Sequence, residues 1–148
     1  MHKELSHEEA LFFLNRFHGH IGPYLVLGYR AGLIANRILG DDPFAKRAHT
    51  MTGSKTPISC FTDGVQLGSC CTLGKGNITV SDEGEPRVRF ELADGSEGIE
   101  VCLTDEAKAR IATAHDWDGA DRLGRQMLTE PEEELFVINH TIPAPADS

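Results

Sequence analysis

The sequence predicts an α+β fold built as one domain. Helical periodicity fills the chain up to Gly40, three strand-like runs separated by turn residues occupy the middle, and helical patterns return before a last apolar run. A length of 148 residues suits one core, and a hydrophobic content of 40% favours a packed interior over disorder. The expected division is one domain over 1–140 and a mobile tail over 141–148, where Pro143 and Pro145 leave little to bury.

Each element has its own signal. Ser6-His7-Glu8-Glu9 fits a capping box, and Ala10, Phe13, Leu14 and Phe17 follow at helical spacing, so a first helix covers about 7–17. Gly19, Gly22 and Pro23 break the pattern, and Pro23 then suits the first turn of a second helix that runs to Ile38 and stops at Gly40. Gly28 and Gly32, one turn apart, mark close packing against another backbone rather than a ligand. A short strand is expected over 48–52 and a third helix over about 60–70. Strands over 77–81, 86–91 and 98–103, with Gly84 and Asp94-Gly95 between them, predict two consecutive hairpins. Thr104-Asp105-Glu106 caps a fourth helix to about Ala114, a fifth covers 118–128, and Leu135 to Asn139 is the last strand.

A net charge of −9 argues against nucleic-acid backbones, which need a basic face. The opening residues contain no secretory pattern, and the most apolar stretch, Tyr24 to Ile34, carries Arg30 and is too short for a bilayer. A cytoplasmic protein without membrane attachment is expected, and its cysteines (Cys60, Cys70, Cys71, Cys102) read as ligands, thiols or core residues rather than disulfides.

Three positions invite chemistry. His18 and His20 are potential metal ligands if their segment is irregular, since positions i and i+2 diverge on a helix. Alternatively one caps the first helix and the other is solvated, and spacing alone favours that reading. Cys60 opens the third helix, where free N–H groups and the dipole favour a thiolate. Asp63, one turn on, is a ligand, an acceptor for a ligand, a general base, or simply a partner of the helix's own amides. Cys71 lies eleven residues after Cys60, roughly 16 Å along a continuous helix at ~1.5 Å per residue, so both cannot hold one ion. Vicinal Cys70 and Cys71 do not close a relaxed disulfide, and Cys102 is expected in the core. The segment around Gly74-Lys75-Gly76 fails the Walker pattern, leaving Lys75 as a contact for an anionic substrate or as part of a tight connection. Thiol redox chemistry at Cys60 is weakened because position 63 is Asp and no Cys-x-x-Cys exists.

Two long segments together carry a resemblance. Phe17-His18-Gly19-His20-Ile21-Gly22-Pro23 with Leu25-Val26-Leu27-Gly28-Tyr29-Arg30, and Cys60-Phe61-Thr62-Asp63-Gly64-Val65-Gln66 with Cys71-Thr72-Leu73-Gly74-Lys75-Gly76-Asn77, resemble the two motifs of the FmdE family of formylmethanofuran dehydrogenase subunits. The resemblance covers residues 7–80 closely and the remainder loosely. It implies a thioredoxin-like α+β core, a mixed sheet of about five strands flanked by helices, and a metal, commonly zinc, in the active site. It implies a link to one-carbon metabolism through molybdenum or tungsten formylmethanofuran dehydrogenases. No cysteine follows Cys102, so the C-terminal zinc finger of some relatives is expected to be absent. Gly22 stands where the family commonly has Cys, which removes a potential ligand. The expected shell is therefore His18, His20 and Cys60 on Zn²⁺ or Ni²⁺ with an open position, Asp63 as acid/base and Lys75 as the charge for an anion. The alternative is a non-catalytic accessory subunit or metal carrier for a molybdenum or tungsten oxidoreductase. The family and the long apolar second helix also imply a homodimer.

Overall fold

Residues 4–142 are described by a computed structural model. Helix α1 (His7–His18) opens on the capping box: Ser6 accepts from the Glu9 N–H at 3.0 Å, and the Glu9 carboxylate accepts from the Ser6 N–H at 2.9 Å. Gly19, at φ 100°, ends it in the left-handed conformation. Helix α2 (Pro23–Leu39) begins on Pro23, as expected of a residue with no N–H to satisfy. The first strand is β1 (Lys46–Thr50), and α3 (Cys60–Ser69) and a single 3₁₀ turn (Leu73–Lys75) lead from it to β2 (Ile78–Val80). The hairpin β3 (Arg87–Leu92) and β4 (Gly98–Leu103) precedes helices α4 (Asp105–Ile111), α5 (Trp117–Met127) and α6 (Glu132–Leu135), and β5 (Phe136–Ile142) closes the fold.

The five strands form one mixed sheet in the order β2-β1-β3-β4-β5. This bears out the α+β class and the strand number but corrects one pairing. The Asp94-Gly95 turn joins a true β3–β4 hairpin, whereas β2 does not pair with β3. Instead β2 runs parallel to β1, with Ala48 opposite Ile78, and β3 takes the other edge of β1 antiparallel, with Ala48 opposite Phe90. The physical reason is the crossover: α3 carries the chain over the sheet and returns it beside β1, as parallel neighbours require. The segment with Gly84 then passes across the end of β1, where Met51 exchanges hydrogen bonds of 2.9 Å with Glu85 and Arg87. Helix α4 is shorter than predicted, and α6, one turn following Pro131, is too short to leave a periodic signal. Strand β5 takes in Thr141 and Ile142, with Ile142 opposite Gly98, so these two residues are paired strand rather than tail; 143–148 lie outside the described residues.

Side chains alternate cleanly across the sheet. Ala48, Val88, Phe90, Ile99, Val101 and Leu103 are buried under the helices. The opposite face carries the ion pairs Arg47–Glu91, Arg89–Glu91 and Arg87–Glu100. Cys102 belongs to that second face, half-buried near Glu100, and is not a core residue. Cys71 is buried and points its thiol at the Lys46 carbonyl oxygen, 3.6 Å away.

The helices are locked by glycine. A Cβ at Gly28 would fall on the Phe61 carbonyl oxygen, and one at Gly32 on the Ser69 amide nitrogen. Reciprocally, Gly64 and Gly68 of α3 face the carbonyl oxygens of Leu25 and Tyr29. Helices α2 and α3 therefore touch backbone to backbone, which only residues without side chains allow. Asn36 adds a hydrogen bond of 2.9 Å to the Gly68 carbonyl. Arg30 ties α2 to the end of α5, donating to the carbonyls of Met127 at 2.7 Å and Glu130 at 2.6 Å, with its guanidinium over the Phe136 ring. The apolar length of α2 is thus consumed inside the fold, since its residues Leu25, Val26, Leu27, Ala31, Ile34 and Ala35 are buried within this chain. Its apolarity does not call for a second copy. No helix among the described residues is long and apolar enough to cross a membrane.

Gly28→Ala or Gly64→Ala must push the two helix backbones apart and is expected to cost about 2–4 kcal/mol of unfolding free energy. Gly74→Ala, where nothing lies within 4 Å of an added Cβ, should stay within about 0.5 kcal/mol. Urea denaturation of the three variants tests this; equal midpoints would show that the helix contact is not tight.

Candidate metal centre

The α1–α2 junction and the start of α3 meet beside the sheet. The left-handed turn at Gly19 swings the chain so that His18, the last residue of α1, and His20, just beyond it, converge instead of diverging, and their ring centroids lie 4.6 Å apart. From the other side α3 presents Cys60. One nitrogen of each histidine and Cys60 Sγ all lie within 4.8 Å of one another. A tetrahedral ion with bonds of about 2.0–2.3 Å needs separations of roughly 3.3–3.8 Å, so small side-chain rotations close the set.

The histidines are specified from behind. Asp63, one turn after Cys60, accepts from His18 Nδ1–H at 2.5 Å. That bond fixes the tautomer and leaves His18 Nε2 with a free lone pair. His18 Nε2 and His20 Nδ1 are buried and have no hydrogen-bond partner. Two buried ring nitrogens without partners are costly unless something else takes the lone pair. The alternative in which one histidine caps α1 and the other is solvated therefore does not describe this geometry. Nor does Asp63 serve the amides of its own helix. Carboxylate, imidazole and open nitrogen stand in the order usual behind a metal ligand.

The thiolate expectation for Cys60 is corrected. The N–H groups of Cys60, Phe61 and Thr62 already donate to the carbonyls of Pro57, Ile58 and Ser59 at 3.0–3.1 Å, in a turn that precedes the helix. Few free donors remain to favour an anion there. Burial pushes the Cys60 thiol up, the nearby Asp63 carboxylate pushes the same way, and Cys60's own backbone N–H only partly opposes them. Cys60 is thus a neutral thiol around neutral pH, and binding a cation there releases its proton.

Two cavities meet at the cluster, sharing His20, Pro57, Cys60, Ala114 and Ala120. One, of about 310 Å³, continues past Pro23, Leu25 and Ile111 to Lys108. The other, of about 530 Å³, opens to solvent past His115, Asp116 and Trp117. Trp117, exposed at the start of α5, stands edge-on to His20 at 4.7 Å between ring centroids. Lys75 is not brought to this site: its Nζ donates to Thr72 Oγ1 at 2.9 Å and lies over the Phe44 ring, in the 3₁₀ turn beyond α3. The cation that does line the first cavity is Lys108, for which the sequence holds no signal. Nothing in its helix-surface context distinguishes it, and only the fold brings α4 and α5 to residues 18–22.

Gly22 also takes on meaning. A Cβ added there would sit 3.8 Å from His20 Nδ1, in ordinary contact, and the extended backbone at φ −155° accepts any residue. A thiol at position 22 would face the cluster.

These features define an α+β domain with a three-residue His/His/Cys cluster able to hold a metal ion. The family model described as "FmdE, Molybdenum formylmethanofuran dehydrogenase operon" matches residues 17–137, and the chain belongs to that family. The match extends well past the two motifs, through the helices and last strand of the second half. A "Probable S-adenosyl-L-methionine-binding protein" of Archaeoglobus fulgidus is 33% identical over 92 residues, covering 61% of this chain and 25% of that protein. The chain thus spans about a quarter of the length of that relative. The crystal structure of an FmdE-like protein of tungsten formylmethanofuran dehydrogenase from Syntrophus aciditrophicus shares the fold, with a TM-score of 0.66 at 22% identity, over 97% of this chain and 76% of that one.

Gly22→Cys is expected to fold normally and to tighten Zn²⁺ binding by about tenfold or more, by supplying a fourth donor. Competition against a chromophoric chelator reads the change, and an unaltered affinity would show that position 22 does not reach the cluster.

Proposed function

We propose that this chain is a metal-binding FmdE-family protein in which His18, His20 and Cys60 hold one divalent transition ion, with zinc the first choice and nickel the second. The observation that carries this reading is the pair of buried, unpartnered nitrogens, His18 Nε2 and His20 Nδ1, facing the Cys60 thiol. Two imidazoles and one thiolate suit these borderline ions, and three protein donors leave a position for water or substrate. A bound ion would act there as a Lewis acid on a substrate oxygen or lower the pKa of a water. The chain's own part is to hold His18 in its binding tautomer through Asp63, to accept or return a proton at that carboxylate, and to present the site at the junction of two cavities. Asp63 is the candidate acid/base. Lys75 stands outside both cavities, and the anion-contacting role expected of it passes to Lys108.

The family's association with molybdenum and tungsten formylmethanofuran dehydrogenases supports a place in one-carbon metabolism. The same association favours the second reading, an accessory subunit or metal carrier for such an oxidoreductase, over a self-contained enzyme. Co-purification of an oxidoreductase component with tagged protein from an anaerobic host would select it. A homodimer formed through the exposed aromatic side of α1, where Phe12, Phe13 and Phe17 are open to solvent, is also proposed.

Purified protein is expected to bind one Zn²⁺ per chain. His20→Ala and Cys60→Ala should each weaken binding by about 100-fold or more, and Asp63→Asn by about 10–100-fold. Isothermal titration with elemental analysis measures this. Unchanged stoichiometry and affinity in His20→Ala and Cys60→Ala would exclude these ligands. In sedimentation velocity, Phe13→Glu together with Phe17→Glu should convert a dimer to monomer; a wild-type protein that is monomeric at high micromolar concentration excludes the dimer.

A further inference from the structure

The smaller cavity has a composition that specifies its occupant. It runs from His20 and Cys60 along Pro23, Leu25, Ile111 and Ala112 to the rim at Lys108. A volume of about 310 Å³ corresponds to roughly ten water molecules at ~30 Å³ each and stands at the low end of small-molecule sites. A nucleotide does not fit within it. Its walls are aliphatic, with small alanines making the space. Among its lining residues there is no Asp or Glu, although the chain has 23 of them against 14 Lys and Arg. Lys108 is the one cationic side chain on it, and Lys108 takes part in none of the ion pairs among the described residues. Tyr24 adds a hydroxyl that burial keeps protonated, and so a neutral donor.

We propose that this cavity binds a small monocarboxylate with a short aliphatic body, its carboxylate on Lys108 and its body along Leu25 and Ile111, pointing toward His20 and Cys60. The proposal deepens the metal reading above and rests on it for what happens at the inner end. The carboxylate and its chain depend on Lys108 and the aliphatic wall alone. One ammonium group suits one negative charge; a phosphate would call for further cations or a backbone cradle, which the lining does not offer. A neutral apolar guest would leave Lys108 without a partner at the rim.

The test uses the full chain, zinc-loaded and zinc-free, with zinc content measured on each sample. Trp117 is the single tryptophan, and its ring on His20 makes its emission a reporter beside the cavity. Acetate, butyrate and hexanoate are titrated against ethanol, 1-butanol and 1-hexanol, and calorimetry confirms the affinities. The acids should tighten by about fourfold per methylene, as ~0.8 kcal/mol per buried CH₂ predicts, until the cavity is full. Each acid should bind at least about tenfold better than its alcohol. Lys108→Gln should erase the preference for acids while keeping the dependence on chain length, and Lys108→Arg should retain both. Equal binding of acids and alcohols, or an acid preference that survives Lys108→Gln, overturns the proposal; survival only in the zinc-loaded sample would place the carboxylate on the ion instead. Less than one zinc per chain removes the metal reading, while the comparison of acids with alcohols on that same protein still decides the cavity.

Discussion

Helices α2 and α3 meet through four glycines, with the carbonyls of one helix lying where side chains of the other would be. Most of what is distinctive here follows from that contact. Because the backbones touch, Cys60 and Asp63 at the start of α3 come within reach of residues just ahead of α2. The same helix is the crossover that sets β2 parallel to β1. Hydroxyls of Thr50 and Thr52 meet the Thr62 hydroxyl at 2.8 Å, pinning the first turn of α3 to the end of β1. A shift along the α2–α3 interface would therefore displace the sheet edge and the cluster together.

Within the cluster, polarity is arranged in one direction. Asp63 spends its hydrogen-bonding capacity on His18, which leaves the outer nitrogen of that ring bare, and Cys60 is kept neutral by burial and by the same carboxylate. The arrangement is neutral at rest apart from Asp63, and it gains charge balance when a cation arrives and the thiol gives up its proton. A like-charged pair of Cys60 thiolate and Asp63 carboxylate is avoided in the absence of the cation.

The sequence disclosed local features and hid relational ones. The capping box at Ser6, Pro23 at the start of α2, the stop at Gly40 and the β3–β4 turn are each decided by adjacent residues, and each was legible. Gly28 and Gly32 announced a close backbone contact, though not that Gly64 and Gly68 supply its other half. The β1–β2 parallel pairing was not legible, because Gly84 reads as a hairpin turn wherever the next strand happens to go. Among candidate ligands, the identity of His18, His20 and Cys60 came from residue type and motif, while their convergence depends on the positive φ at Gly19. The thiolate expectation failed because a helix start looks the same in sequence whether or not a preceding turn has occupied its amides. Lys108 and Trp117 were invisible for a related reason: they reach the site only through the packing of α4 and α5, with Gly124 of α5 set against the backbone of Gly22.

His18 and Asp63 are 45 residues apart in the chain, and closing so long a loop costs an unfolded polypeptide about 3 kcal/mol or more. In this fold that cost is met by helix packing rather than by an ion. The centre is thus assembled ahead of its occupant, unlike a zinc finger, whose ligands come together only around the metal. An ion can leave such a centre without the scaffold unravelling, and another can enter without a refolding step. Exchange is then limited by ligand dissociation and access through the open cavity. That kinetic freedom suits a protein that receives its metal from elsewhere or passes it on as readily as one that keeps it for chemistry.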